Sequence, residues 1–405
     1  MILFKKYKWD ILFFSMAILT LICFWNSEGM SDIGFYKRWI TKAADLGVVA
    51  GFEANADMYP PLCTLLHFAV YKAGAGLLDR SHTIMLVNFI FILVTALLVR
   101  LYTRKTLPAA LTFASCLISV TNAYIDILTA PFLLLGVLSL EKKKYIPAGI
   151  FLALMCLMKF QPLIMMPFFA AYFVTLMPKK PFIRFDVKPL VFLGASAMAV
   201  VAITFAVYGF PFITALKKTF MESDSFYAPQ ALGLPWLLQY LYEIFTGTYD
   251  GRIALLRKDC PSEMYLTSHL FWLVYIILFV WYLLREKKDI QTLLGFSCAA
   301  FLSYYLLHTG VHENHYFMGM LLGIILYINN KNTGNLFIMV TGIFTFNINV
   351  LIFYGLSGTG PGFTPGLGSL DPSAALAVFN LITGIMMICI ITLKKPSYED
   401  SSAKL

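Results

Sequence analysis

Charged residues are scarce in this chain. They make up 13% of 405 residues, where soluble domains carry about a quarter. That scarcity excludes an ordinary cytosolic enzyme and a disordered chain. Long polar stretches are also missing. None exceeds about 60 residues, near the lower bound for an independent domain, so a single-span protein with a large water-soluble head is excluded. The seven cysteines show no CxxC or other metal-ligand spacing. No basic patch is present either. The net charge of +9 is spread between apolar runs, as loop charges are in membrane proteins, and nucleic acid is therefore not an expected partner.

What is present is apolar. Hydrophobic residues reach 59%, aromatics 16% and mean hydropathy +0.75. The expected fold class is an all-α polytopic membrane protein, with residues 1–405 forming a single domain in contact with the lipid bilayer. Cys23, Cys116, Cys156, Cys298 and Cys389 fall in apolar runs and read as packing residues. Cys63 and Cys260 fall in polar loops, and a disulfide between them is left open. The N-terminal run reads as a signal anchor, because no small-x-small cleavage site follows it.

Apolar runs occur near 9–26, 84–101, 107–122, 127–140, 146–158, 162–177, 189–209, 268–284, 290–307, 316–329, 336–354 and 373–393. They give about 12 transmembrane helices. Several are short for a hydrocarbon core that needs about 20 helical residues, which is tolerated where a segment lines a protein cavity. Charge orients them. With Lys5, Lys6 and Lys8 on the cytoplasmic side, that side holds 20 Lys/Arg and 7 Asp/Glu, and the other holds 11 and 15. The asymmetry obeys the positive-inside rule. It also favours two short helices meeting at Lys159–Pro162 over one long one, which keeps the basic stretch 179–188 inside. Two extracytoplasmic loops are then large, 27–83 and 210–267. A third, about 355–372, is Gly/Pro-rich and reads as mobile.

The first outer loop begins with Asp32, followed by Tyr36 and Trp39 at i+4 and i+7, on one helix face. An acid beside aromatics at the membrane surface can act as a general base on a hydroxyl. The same spacing also fits a helix N-cap with an interfacial aromatic belt. The loop ends in Asp57-Met58-Tyr59-Pro60-Pro61. Two prolines make it rigid, either to hold a binding site or to start a helix with Pro in its first turn. Lys159 lies at or below the outer surface. It can meet a lipid phosphate as a point charge or simply snorkel. His308, His312 and His315, with Glu313, sit at the outer end of the ninth run. They can donate hydrogen bonds to a phosphate. A zinc site and a plain interfacial histidine cluster are the other readings.

These segments together resemble the GT-C superfamily of integral-membrane glycosyltransferases that use polyprenyl-phosphate sugars. D-x-x-x-Y-K-R-W followed by D-M-Y-P-P-L is similar to the first luminal loop of dolichyl-phosphate-glucose-dependent glucosyltransferases, and also looks like bacterial mannosyltransferases. Val311-His312-Glu313 is similar to the Val-His-Glu element of those glucosyltransferases. Lys159-Phe160-Gln161-Pro162 is similar to their Lys-x-Gln element. Asn122–Asp126 lacks the Pro and Gln that relatives carry, and the Trp236 segment lacks their Asn.

The resemblance implies a GT-C-like fold with Asp32 as catalytic base. It assigns substrate binding to Tyr36, Trp39, Asp57, Tyr59, Asp126, Lys159, Gln161, Trp236, His312, Glu313 and His315. The donor is then a polyprenyl-phosphate sugar, and the acceptor a hydroxyl of a glycan or glycolipid. Transfer inverts the anomeric carbon without metal or cofactor. The site faces outward from a bacterial plasma membrane, or into the endoplasmic reticulum lumen of a eukaryote. The rival classes are a transporter or lipid-linked-sugar flippase, an oligosaccharide ligase and a noncatalytic assembly subunit. Ionisable residues gathered at one membrane face, rather than at the midplane, argue against transport.

Overall fold

The computed structural model describes residues 2–27, 29, 32–55, 58–74, 76–176, 183–221, 227–249, 257–354 and 371–393. The Gly/Pro-rich stretch 355–370 and Asp57 lie outside them. All twelve apolar runs are helical over all or part of their length. Among the described residues, seven helices are long and apolar enough to cross a membrane: Tyr7–Phe24, Arg80–Thr103, Val187–Tyr208, Ser262–Leu283, Ile290–Leu307, Thr333–Phe353 and Pro372–Leu393. The chain is thus an all-α polytopic membrane protein apart from one small hairpin.

The other five runs fall short of about 20 helical residues, because each is interrupted or begins late. Thr106–Ser115 breaks at Cys116 before Leu117–Thr121. Ala123 takes a left-handed φ of 60°, which no helix continues, and the chain restarts in Ile125–Thr129 and Ala130–Glu141. Tyr145–Met158 ends at Lys159, whose backbone is extended (φ −154°, ψ 140°). Pro162 then opens the next turn, where its missing N–H costs nothing. The expected meeting of two short helices at Lys159–Pro162 is what the structure has.

The run 162–177 differs from expectation. Its helix stops at Ala171, and β1 (Val174–Leu176) pairs antiparallel with β2 (Ile183–Phe185). The Lys288 ammonium donates to Ala171 O at 3.0 Å and to Val174 O. It thereby satisfies a carbonyl that the ended helix leaves open. Burial pushes Lys288 down to about 8.

The core is organised around Ile290–Leu307, 72% buried, whereas Val187–Tyr208 is only 6% buried. The latter leaves Val191, Met198, Ile203 and Val207 exposed, a face suited to acyl chains rather than water. It is held to Tyr145–Met158 by close backbone approach. A Cβ at Gly149 would stand 2.2 Å from Leu193 O and Ser196 Oγ. The first helix is tied at its basic end, where Arg100 makes paired hydrogen bonds of 3.0 and 2.9 Å to Asp10.

No disulfide joins Cys63 to Cys260. Cys63 lies in the main core and Cys260 packs against a separate apolar cluster around Trp236, so the disulfide left open by the sequence does not form.

Candidate functional site

Tyr145–Met158 and Ile290–Leu307 start in loops that carry Lys142–Lys144 and Lys287–Asp289. Both end at the same place, opposite those loops. There the junctions 122–126, 159–161 and 308–316 meet beside the segment that follows the first helix. Sequence-distant groups come together because each helix stops at this level.

Lys159 and Asp126 form the centre. Lys159 Nζ lies 2.6 Å from Asp126 Oδ1, with side chains only 3% and 5% exposed. Asn314 Nδ2 donates to Asp126 Oδ2 at 3.1 Å, so both carboxylate oxygens have donors. Burial pushes the Asp126 carboxyl above its ordinary value, and the Lys159 charge pulls it back only in part. Lys159 is therefore not a bare cation waiting for an anion. It is half of a buried pair.

Glu313 lies beside this pair and is also buried. Tyr124 donates its hydroxyl to Glu313 Oε1 at 2.6 Å, and Asn349 Nδ2 donates to the Glu313 carbonyl at 3.3 Å. Oε2 makes no hydrogen bond, and His312 Nδ1 stands 3.9 Å from it. Burial raises the Glu313 carboxyl, against the opposing pull of His312 and Tyr124.

The imidazoles divide by access. His312 is 38% exposed. His315 is half-buried, and Tyr304 lies between it and His308 at ring distances of 6.1 and 5.3 Å. The His312 backbone N–H donates to His315 Nδ1 at 3.4 Å. Nε2 of a neutral ring then carries the proton, and the Gln161 side-chain amide, whose nitrogen is placed 3.2 Å from it, accepts that proton when turned to present Oε1. Burial, with the Lys159, His312 and His308 charges, holds His315 well below its ordinary value. Among the described residues no group of three His, Cys, Asp or Glu converges as a metal site requires.

The segment after the first helix brings the acid. Ser27 Oγ donates to Thr121 O at 2.7 Å. Gly29 (φ +69°) packs so closely that a Cβ would be 3.0 Å from Ala123 Cβ. Asp32 therefore sits above the 121–124 turn. It occupies the position before helix Ile33–Leu46, but its side chain does not cap that helix. The capping reading of Asp32 thus holds for the backbone and not for the carboxylate. Its charge acts on Tyr36, Tyr59 and Glu313.

Tyr36 and Trp39 are buried at 4.8 Å ring separation. Tyr59 completes the wall, 4.9 Å from Trp39 and edge-on to Tyr36 at 6.2 Å. Pro60 and Pro61 begin helix Pro61–Ala73, as proline in a first turn does, and so fix Tyr59 against that wall.

Ten of the twelve residues expected from the sequence thus gather here. Asp57 lies outside the described residues. Trp236 is not part of the group. It lies in the separate cluster with Tyr227 and Phe353, and its indole N–H donates to Ser373 Oγ at 2.9 Å.

Four further residues belong to the site: Tyr124, Asn314, Asn349 and His67. His67 is fully buried and stacks on Tyr36. Its Nδ1 donates to Cys63 O at 2.8 Å, leaving Nε2 as a buried acceptor without a hydrogen bond. Burial lowers it to about 4. Its sequence signal was slight: a histidine one turn after Cys63 and two turns after Tyr59-Pro60. Tyr124 and Asn314 sat inside motifs whose charged members drew the reading. Asn349 lies within a long apolar helix and gave no signal.

No protein-family model matches this chain, and no curated protein is similar to it.

Proposed function

We propose that the chain is an inverting glycosyltransferase of GT-C layout. In this reading the five short helical runs complete about twelve spans, and the site faces outward. The donor is a polyprenyl-phosphate hexose and the acceptor a hydroxyl of a glycan or glycolipid. One observation carries the reading. The acid Asp32 lies close enough to Tyr36, Tyr59 and Glu313 for its charge to act on them, and the same cluster of chain junctions holds Lys159, His312 and His315. A base gathered with phosphate-stabilising groups is what transfer from a phosphate-linked sugar requires.

The acceptor oxygen attacks the anomeric carbon as the bond from that carbon to the phosphate oxygen breaks. The bond's electron pair leaves with the phosphate monoester. Asp32 takes the acceptor proton. Tyr59, the half-buried member of the wall, meets the sugar, and the buried Tyr36 and Trp39 hold it in place from behind. His312, the most exposed of the cationic groups, meets the phosphate, and Gln161–His315 lines the same side. Lys159 spends one N–H on Asp126 and keeps two for the leaving oxygen. Asp126 is then a positioning residue for Lys159, as Tyr124 is for Glu313.

The test is transfer and binding together. Protein in nanodiscs is given radiolabelled polyprenyl-phosphate glucose, mannose, galactose or arabinose with a membrane-lipid extract. Labelled product from one donor is expected, and binding of none of them would overturn the reading. A transporter or flippase could instead use the buried Lys159–Asp126 pair and its broken helices. Movement of lipid-linked sugar across vesicles without transfer would favour it.

A further inference from the structure

The hairpin at the basic end has two unlike faces. The register Val174↔Phe185, Thr175↔Arg184, Leu176↔Ile183 puts Val174, Leu176, Ile183 and Phe185 on one face and Thr175 and Arg184 on the other. Ile183 and Phe185 are each 52% exposed, although a two-stranded ribbon in water has no reason to present them. Val187, 60% exposed, continues this apolar surface into the lipid-facing helix Val187–Tyr208.

The surroundings are basic. Arg184 and Lys188 are exposed, against one acid, Asp186. The neighbouring loops 104–105, 141–144 and 286–289 expose six Lys/Arg and three Asp/Glu. Tyr102 donates to Glu141 at 3.2 Å and so joins the first two loops, Tyr145 packs on Phe173 just before β1 at a ring distance of 5.6 Å, and Lys288 donates to Val174 O of β1.

We infer that this hairpin is a docking surface for anionic phospholipid in the leaflet on the basic side. Ile183, Phe185 and Val187 enter the acyl boundary, and Arg184 and Lys188 meet headgroup phosphates. An apolar face flanked by guanidinium and ammonium groups, placed where a membrane-spanning helix begins, matches the chemistry of that boundary. A free soluble anion would have no use for the apolar half. The proposal is independent of the glycosyl-transfer reading, because the surface lies at the opposite end of the helices from the site.

Native mass spectrometry of the full chain, released from nanodiscs of equal phosphatidylglycerol and phosphatidylcholine, tests it. Wild type should retain phosphatidylglycerol preferentially. Arg184→Gln/Lys188→Gln should lower that preference by about 25-fold, at about fivefold for each basic side chain near an anionic surface. Ile183→Asn/Phe185→Asn should lower it too. The control Lys72→Gln/Arg80→Gln, exposed at the other end, should keep it. Unchanged preference in the Arg184/Lys188 variant, or an equal fall in the control, would overturn the inference.

Discussion

Removing one member of the Lys159–Asp126 pair should cost far more than removing both. The two side chains are 2.6 Å apart and 3% and 5% exposed, so water cannot replace a lost partner. In Lys159→Met, Asp126 keeps only Asn314 as donor. In Asp126→Asn, a buried ammonium loses its counter-charge. Each single change should destabilise the protein by about 3–5 kcal/mol. The double variant Lys159→Met/Asp126→Leu replaces the pair by packed apolar groups but orphans the buried Asn314 amide, and should cost about 1–3 kcal/mol, far below the sum of the two single changes. The assay is a double-mutant cycle by reversible unfolding of the whole chain in mixed micelles of rising denaturing detergent. A single variant costing less than about 1 kcal/mol, or additivity within about 0.5 kcal/mol, would refute the geometry. The double variant should also fail to transfer sugar while remaining folded, which separates the pair's chemical role from its structural one.

Two more predictions concern the surrounding groups. Tyr124→Phe removes a 2.6 Å hydrogen bond to buried Glu313 and should cost about 1.5–3 kcal/mol. The same unfolding assay checks it, and in a Glu313→Gln background the loss should shrink. His67 makes stability pH-dependent, because burial holds it at about 4 against an ordinary 6.5. Above about pH 7 it is neutral in both states and contributes nothing. As pH falls below 6.5 the unfolded chain takes up the proton first, so stability falls by roughly 3 kcal/mol before levelling near pH 4. His67→Phe should flatten that part of the profile, and an unchanged profile would remove His67 as its cause.

Much of this was legible in the sequence for simple reasons. Apolar runs bounded by charge located the membrane-crossing helices, while Ile33–Leu46, Pro61–Ala73 and Leu234–Thr246 lie in segments that read as loops. The i, i+4, i+7 spacing placed Tyr36 and Trp39 on the face that Asp32 begins, and the rings indeed pack. The Lys159–Pro162 break was visible because proline starts helices and charge placement forbade one long span.

What was not legible depends on tertiary partners. Nothing in Lys159-Phe160-Gln161-Pro162 says that its ammonium is taken by Asp126, 33 residues away. Trp236 matched a motif position, yet Ser373 claims its indole N–H. The run 162–177 looked helical to its end. A lysine more than 110 residues later, Lys288, helps end that helix and hold β1. His67 needed the fold to reveal that its Nε2 is buried against Tyr36.

The most direct test is Asp32→Asn in nanodiscs beside wild type, with the donor that wild type uses and with acceptor present. Product formation and donor retention are measured in the same sample. The side chain is half-buried and does not cap its helix, so the variant should fold and retain donor. It should lose transfer by at least the roughly 10²–10⁴-fold that a positioned general base supplies. Transfer by Asp32→Asn at the wild-type rate would contradict Asp32 as the base.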